Sequence, residues 1–194
     1  MIDFSAIMHQ CAPSVAPAVL EAIIRTESSF DPLALHINAK VRLRSPPKSA
    51  AQAATWSSWL IGQGYSVDMG LMQINSHNLA ALNLTPEGAF DPCRNVRAGA
   101  ELLKVQYARA RQAGSPGSTA LLQAISAYNT GNFHGGFSNG YVEKVMMNNS
   151  HARELLTLDF TCLLTHCGPT QSGAGQVAHA YVADTAIGGF GVSP

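Results

Sequence analysis

The 194-residue sequence predicts a mainly α-helical domain with a small β insert over residues 1–150, followed by a flexible C-terminal tail over 151–194. Three observations support this fold class. Apolar residues recur at helical spacing in several segments, turn-forming residues separate these segments, and the last part of the chain is rich in Gly, Ala, Ser and Thr. Hydrophobic residues make up 46% of the chain and charged residues 12%, which suits one domain with a substantial core.

The first predicted helix extends from about Ser14 to Ser29. Ser14 is a suitable N-cap, and Pro17 lies in the first turn, where its missing N–H does no harm. The apolar stripe of this helix ends in a carboxylate and comprises Ala16, Val19, Leu20, Ile23, Ile24 and Glu27.

Glu27 therefore faces either the core or a cleft, where burial would raise its pKa. A carboxylic acid that stays protonated near neutral pH can protonate the leaving oxygen of a glycoside. An ordinary glutamate that turns outward at a frayed helix end would fit the same periodicity. The spacing by itself leaves both interpretations open.

The next segments predict the β insert and a second helix. Residues 38–44 alternate apolar and basic side chains, which predicts a short strand with a basic face that ends at Pro46 and Pro47. Ser49 caps a predicted helix that continues to about Gln63. This helix carries Trp56 and Trp59, which would serve either as core residues or as platforms for sugar stacking, and Phe137 is a third candidate platform.

The second half of the domain is predicted to be helical. Residues 70–75 are too short to classify by periodicity and lead into a helix through Leu79 and Leu82. Asp91 and Pro92 form an N-cap followed by a proline, which begins a helix to about residue 112. Further helices are expected over 118–129 and 141–147, with a glycine-rich loop between them.

Charge and composition argue against several classes of function. Lys+Arg and Asp+Glu each number 12, so no net charge attracts nucleic acid. No apolar run approaches the length of a membrane span, and the first twelve residues do not resemble a secretory signal. The seven histidines are scattered and none pairs with a cysteine at a recognised ligand spacing, so we expect no metal site. We also expect no cofactor.

The four cysteines allow two interpretations. Cys11 and Cys93 precede helices and could form a disulfide, and Cys162 and Cys167 could pair locally in the tail. Alternatively, all four are free and partly buried thiols, as expected in a reducing compartment.

Four motifs in order carry a family resemblance. They are Glu27–Ala34 (ESSFDPLA), Gly70–Asn75 (GLMQIN), Ala127–Gly131 (AYNTG) and Tyr141–Val145 (YVEKV). Together they resemble the catalytic domain of the soluble lytic transglycosylase family, which has the goose-type lysozyme fold. The resemblance covers about residues 12–147. Each motif is weak alone, whereas four in order are specific.

Further motifs resemble a specialised branch of this family that is encoded with bacterial type IV secretion and conjugation systems. They are Cys11–Pro13, the insert over 38–67, Phe90–Cys93, Arg97–Ala100, and Gly131–Phe133 followed by Gly136 and Phe137. The resemblance implies a periplasmic enzyme that opens peptidoglycan locally during assembly of the secretion apparatus. We expect a monomer whose partners are glycan strands and, through the tail, secretion components.

The resemblance also implies roles for individual residues. Glu27 matches the single acid/base, Gln73 lies beside the cleaved sugar, and Tyr128 lies near the catalytic carboxyl. The expected substrate-contacting set comprises Ser28, Met72, Gln73, Asn75, Tyr128, Asn129 and Tyr141. The implied reaction cleaves the MurNAc-β-1,4-GlcNAc bond and closes a 1,6-anhydro ring on MurNAc.

Two departures from the general family bear on this reaction. Asn75 stands where methionine is common, and Asp68 precedes the Gly70 motif where small residues are usual. If Asp68 faces Glu27 across the cleft, it could activate water, and the enzyme would be a hydrolytic muramidase. We favour the alternative that Asp68 hydrogen-bonds the turn before Gly70, as Asp31 would in its own turn.

His77 and His134 lie near motifs, but a lone histidine is more often a polar surface residue or a hydrogen-bonded core residue than a catalytic one. Apart from an enzyme of either kind, the remaining alternative is a non-catalytic scaffold that grips peptidoglycan. An apolar stripe ending in Glu27 argues against a pure binding module.

Overall fold

The computed structural model describes residues 2–148, which form a helical domain with a small antiparallel sheet. The helices of this part are α1 Phe4–Cys11, α2 Pro17–Ser28, α3 Ala50–Gly62, α4 Pro86–Ala89, α5 Pro92–Gln112, α6 Gly117–Thr130, α7 Gly135–Ser138 and α8 Tyr141–Met147. The strands are β1 Leu35–Ile37, β2 Val67–Met69 and β3 Ile74–Asn75, followed by a 3-10 turn at Ser76–Asn78. The predicted tail and the proposed Cys162–Cys167 pair lie outside the described residues.

The longest helix, α5, is at the centre of the packing. It packs extensively against α6 and also contacts α1, α4 and β3. Asp91 caps its N-terminus by accepting a hydrogen bond from the backbone N–H of Arg94, and Pro92 occupies the first turn. One apolar core continues from α2 through the sheet to α5, α6 and α8.

Helix α2 brings the apolar stripe that contains Glu27 into this core. Leu20, Ile23 and Ile24 are completely buried, as the spacing predicts. The helix ends at Ser28 because Ser29 and Phe30 both have positive φ, at 52° and 66°. The last turn therefore leaves Glu27 at the edge of the core, where the chain reverses towards β1.

The three strands pair in the order β1-β2-β3, and both pairs are antiparallel. Asp68 is central, because it lies opposite His36 on one side and Asn75 on the other. The sheet thus places one carboxylate between two polar side chains. Sequence spacing alone cannot show this, since His36 and Asp68 are 32 residues apart.

The turn between β2 and β3 is held by a buried asparagine on α5. The Asn95 side chain accepts a hydrogen bond from the N–H of Met72 (2.8 Å) and donates to the carbonyls of Met69 (2.8 Å) and Ala89 (2.7 Å). Gly70 is required here, because its φ is 74° and a Cβ atom would lie 2.4 Å from both Asn95 Nδ2 and the Ala89 oxygen. This close packing fixes the backbone of the GLMQ motif.

The structure confirms the predicted fold class and the helices over 49–63, 91–112, 118–129 and 141–147 to within one residue at each end. Within residues 2–148, no helix combines the length and the hydrophobicity that crossing a membrane requires.

Three predicted elements are wrong in part. The predicted strand over 38–44 is irregular chain, and the strand lies instead at Leu35–Ile37. Residues 40–44 alternate between basic and apolar side chains, but five of the side chains from 39 to 44 are exposed. Within residues 2–148, this segment pairs with no strand. The helix expected through Leu79 and Leu82 is a short 3-10 turn followed by irregular turns, and Asn83 has a positive φ of 48°.

The N-terminal prediction also needs correction. The second helix begins at Pro17 rather than Ser14, and Ala16 occupies the N-cap position. Helix α1 precedes it, capped by Asp3 and anchored by the Phe4 ring, whose centroid lies 5.0 Å from that of Phe30. Sequence patterns within one segment cannot predict this contact, because its two residues are far apart in the chain.

Candidate active site

Glu27 lies at the end of α2, partly exposed in a groove between the sheet and the C-terminal helices. Its Oε1 atom accepts a hydrogen bond from the hydroxyl of Tyr141, the first residue of α8. Tyr141 is itself buried, so the contact ties the carboxyl to the hydrophobic core at a point 114 residues further along the chain.

Burial raises the pKa of Glu27 from 4.5 to about 7. The hydrogen bond from Tyr141 opposes this rise, since it favours the ionised form, and the negative charge of Asp68 adds to it. The ammonium group of Lys144 on α8 lowers the pKa slightly. A carboxyl with a pKa near 7 can both release and recover a proton at neutral pH, which suits a general acid that later acts as a base.

Asp68 lines the same cavity as Glu27. Its carboxylate accepts hydrogen bonds from Asn38 Nδ2 (2.9 Å) and Asn75 Nδ2 (2.7 Å). The favoured prediction, a hydrogen bond to the turn before Gly70, is therefore wrong, because the amide partners are Asn38, which directly follows β1, and Asn75 on β3. Burial raises the pKa of Asp68, and the two amide hydrogen bonds and nearby His36 and His77 oppose the rise.

Gln73 lies in the turn before β3 and has a left-handed backbone, with φ at 46°. Few non-glycine residues adopt this conformation, and it is often found at functional sites. The side-chain nitrogen donates to the carbonyls of Gly70 (2.9 Å) and Ala34 (3.2 Å), so the amide is fixed against the cavity wall. The side chain therefore has a defined orientation before any substrate binds.

Tyr128 lines the cavity from α6, and its hydroxyl donates to the backbone carbonyl of Met72 (2.7 Å). Met72 was expected to contact substrate, but its side chain is fully buried, and a Cβ atom at Gly99 would lie 2.4 Å from its sulfur. Met72 thus contributes its main-chain carbonyl and its packing, and its contact with substrate stays a prediction.

The other predicted substrate-contacting residues have structural partners of their own. Asn75 is buried and bonds Ser66, Asp68 and the N–H of His77, which uses both of its amide protons. Asn129 lines the cavity and accepts a hydrogen bond from Asn139 (2.9 Å).

Ser28 lies in the adjoining cavity, with its hydroxyl 2.8 Å from the Leu71 carbonyl. The same hydroxyl lies 3.1 Å from the Ile24 carbonyl. Its single proton is therefore directed to backbone oxygens, and Ser28 fixes the end of α2 against the GLMQ turn.

The groove has two arms that meet at Glu27. The first is a cavity of about 330 Å³ that contains Asp68, Tyr128 and Tyr141. The second, of about 660 Å³, extends beneath residues 39–47. Glu27, His36 and Gln73 line both arms, so the carboxyl lies where the two cavities adjoin.

Several residues of the groove escaped sequence reasoning. They are Thr26, His36, Asn78, Leu102 and Lys144. Lys144 belongs to the YVEKV motif, so helical spacing from Tyr141 could have indicated its position. The others depend on sheet register and on packing between distant helices.

The aromatic and histidine candidates lie elsewhere. Trp59 is exposed and Trp56 is half-buried, and neither lines a cavity that contains Glu27. Phe137 is exposed outside both arms.

His77 is an exposed residue beside Asn75, and the N–H of His134 donates a hydrogen bond to Asn132 Oδ1. Asp31 is a turn residue, since its carboxylate accepts from the N–H of Leu33.

The structure joins Cys11 to Cys93 by a disulfide, with Cα atoms 5.3 Å apart, which ties the end of α1 to the start of α5. Among the described residues, no group of three or more His, Cys, Asp or Glu side chains is arranged to hold a metal ion.

A half-buried glutamic acid lies at the junction of a polar groove on a helical domain with a small sheet. The family model for the transglycosylase SLT domain matches residues 4–150. The chain therefore belongs to the transglycosylase SLT domain family.

Curated relatives support this membership. The chain is 46% identical over 143 residues to protein virB1 of Agrobacterium fabrum, which covers 74% of this chain and 58% of that protein. It is 39% identical over 153 residues to the type IV secretion system protein virB1 of Brucella abortus, covering 75% and 63%. The chain thus matches less than two thirds of the length of these relatives. No solved structure matches significantly.

Proposed function

We propose that this protein is a peptidoglycan lytic transglycosylase that cleaves MurNAc-β-1,4-GlcNAc bonds and leaves a 1,6-anhydro ring on MurNAc. The observation that carries the proposal is the Glu27 carboxyl, whose pKa burial raises to about 7 at the junction of the groove. Membership of the SLT family supports the choice of substrate.

In the first step, protonated Glu27 donates its proton to the bridging oxygen as the bond from that oxygen to C1 of MurNAc breaks. The N-acetyl carbonyl of the same sugar stabilises the electron-poor C1. The hydroxyl of Tyr141 supports the carboxylate that forms, because it already donates a hydrogen bond to Glu27.

In the second step, the C6 hydroxyl of MurNAc attacks C1, and ionised Glu27 takes the proton of that hydroxyl. The anhydro ring closes and Glu27 returns to its protonated form, so one carboxyl serves both steps without consuming water. Gln73 and Tyr128 are fixed by backbone carbonyls, and their role is to maintain the shape of the groove around the sugar.

A hydrolytic muramidase is the second candidate, and the position of Asp68 in the same cavity favours it. A second carboxylate could activate water on the other face of the sugar. However, each Asp68 oxygen already accepts a hydrogen bond from an asparagine amide, Asn38 or Asn75, which makes the carboxylate a weaker base towards water. We therefore rank hydrolysis second and assign Asp68 to the electrostatics of Glu27.

The name of the Brucella abortus relative places that protein in a type IV secretion system. We infer a corresponding role for this chain in the periplasm, where local cleavage of the wall makes room for a secretion or conjugation apparatus. The 151–194 tail is proposed to contact components of that apparatus.

Digestion of purified sacculi tests the reaction. Wild-type protein and Glu27→Gln are compared, and the released muropeptides are weighed. Anhydro products, lighter by one water than reducing-end products, are expected from the wild type and none from the variant. Reducing-end products that disappear in Asp68→Asn would establish the muramidase instead. Binding of sacculi without cleavage by the wild type would favour a scaffold.

A further inference from the structure

The second arm of the groove carries a concentration of positive charge that the proposed reaction does not use. Residues 38–48, here called the basic loop, contain four cations and no acidic residue, although the net charge of the whole chain is zero. The cations are Lys40, Arg42, Arg44 and Lys48. The ion pairs of residues 2–148 are Arg25–Glu21 and Lys104–Glu101, so none of these four cations has a carboxylate partner there.

The four cations differ in where they lie. Arg42 and Arg44 line the cavity of about 660 Å³ that begins at Glu27, whereas Lys40 and Lys48 are exposed outside it. The other charged or titratable side chains of this cavity are Glu27, Asp31 and His36. The Asp31 carboxylate accepts a hydrogen bond from the N–H of Leu33, and within residues 2–148 it forms no ion pair with either arginine.

Apolar and polar groups share the rest of the cavity lining. Leu33, Leu35, Ile37, Val41, Leu43 and Pro47 contribute to its lining. Ile37 and Pro47 are buried and Leu43 packs against the core, which fixes the loop on both sides of the arginines. A surface of this kind suits a ligand that combines small apolar groups with carboxylates, because a guanidinium binds a carboxylate through two parallel N–H bonds.

We propose that Arg42 and Arg44 bind the carboxylates of the stem peptide on the glycan strand, with its small apolar side chains against the floor of the cavity. The proposal rests on the proposed function, since it concerns the same groove and substrate. The sugar backbone of a peptide-bearing strand is neutral, so the carboxylates that reach this arm belong to the peptide. The basic loop would then select peptide-bearing strands over stripped ones.

Binding without turnover tests the proposal. In a Glu27→Gln background, co-sedimentation measures the dissociation constant for intact sacculi and for sacculi whose carboxyls have been converted to amides with carbodiimide and ammonium. Arg42→Gln with Arg44→Gln is expected to weaken binding to intact sacculi about 5- to 20-fold, the effect of losing two partly exposed ion pairs. On amidated sacculi the arginine pair should make less than about a twofold difference.

The matched control is Lys40→Gln with Lys48→Gln, which removes the same charge from the same loop without touching the cavity. Its effect is expected to stay below about twofold on either substrate. An equal loss in the lysine variant would overturn the proposal in favour of general charge attraction. An equal loss by the arginine variant on amidated sacculi would show that the arginines contact sugar or support the fold.

A third substrate separates two sources of the carboxylate. Glycan strands stripped of peptide by an amidase carry a free lactyl carboxylate on MurNAc. Arginine dependence that persists on these strands would assign the site to the lactyl group and refute the peptide assignment. This binding assay does not depend on cleavage, so the two proposals can fail separately. If the wild type forms no anhydro product, the proposed reaction is refuted. If binding to sacculi still depends on the arginines, the proposed peptide site stands.

Discussion

Replacing Glu27 with glutamine should make the domain less sensitive to pH, because burial opposes ionisation of this carboxyl. The folded protein holds the pKa at about 7 against an ordinary value of 4.5. The stabilisation that accompanies the raised pKa is fully present below about pH 4.5 and is lost as the pH rises through about 7. One pKa unit corresponds to about 1.4 kcal/mol, so the shift from 4.5 to about 7 corresponds to a stabilisation of about 3 kcal/mol at low pH.

Between pH 5 and pH 8, the wild type should therefore lose about 2–3 kcal/mol of unfolding free energy relative to Glu27→Gln. Urea unfolding of the disulfide-bonded protein at both values, followed by circular dichroism, measures this difference. Subtracting the variant removes most of the contribution of other groups, including Asp68. Parallel pH profiles for the two proteins would mean that Glu27 is hydrated like a surface carboxylate, and the argument for a proton donor near neutral pH would fail.

Three further outcomes follow from individual contacts. Tyr141→Phe removes a hydrogen bond that favours ionised Glu27, so the decline in kcat/KM above about pH 7 should move up by about one pH unit. A pH profile that is unchanged or moves down would contradict the assigned contact. Asn95→Ala leaves one N–H and two carbonyls without their partner and should lower the unfolding free energy, measured in urea, by about 2–4 kcal/mol. A loss below about 1 kcal/mol would argue that the Asn95 side chain does not hold the turn between β2 and β3. Cys93→Ser opens a link across 82 residues and should lower it by about 4 kcal/mol under oxidising conditions, while an unchanged denaturation midpoint would count against the bridge.

Local sequence signals were sufficient for most of the helices. Asp91 and Pro92 mark the start of α5 because capping involves only neighbouring residues, and the spacing of α2 identifies Glu27 as the polar end of an apolar stripe. The alternation over residues 38–44 was misleading, since alternation predicts a strand only where a neighbouring strand can pair with it.

The details of the groove depend on contacts between distant residues. The partners of Asp68 follow from the register of three strands, and the Asn38 amide that binds it is 30 residues away. Motif resemblance brought Met72 into the expected substrate-contacting set, but packing against Gly99 places its side chain in the core. Residue type and order therefore indicated the site, while tertiary packing decided which side chains face it.

The contact between Glu27 and Tyr141 joins the beginning and the end of the described domain. During synthesis, the ribosome adds the carboxyl-bearing residue long before the tyrosine that supports it. Until α8 docks, the emerging polypeptide has its acid but lacks that support and the neighbouring wall formed by Tyr128. A chain that stops prematurely anywhere before α8 therefore lacks a finished groove, so an incomplete copy would not have the complete proposed active site.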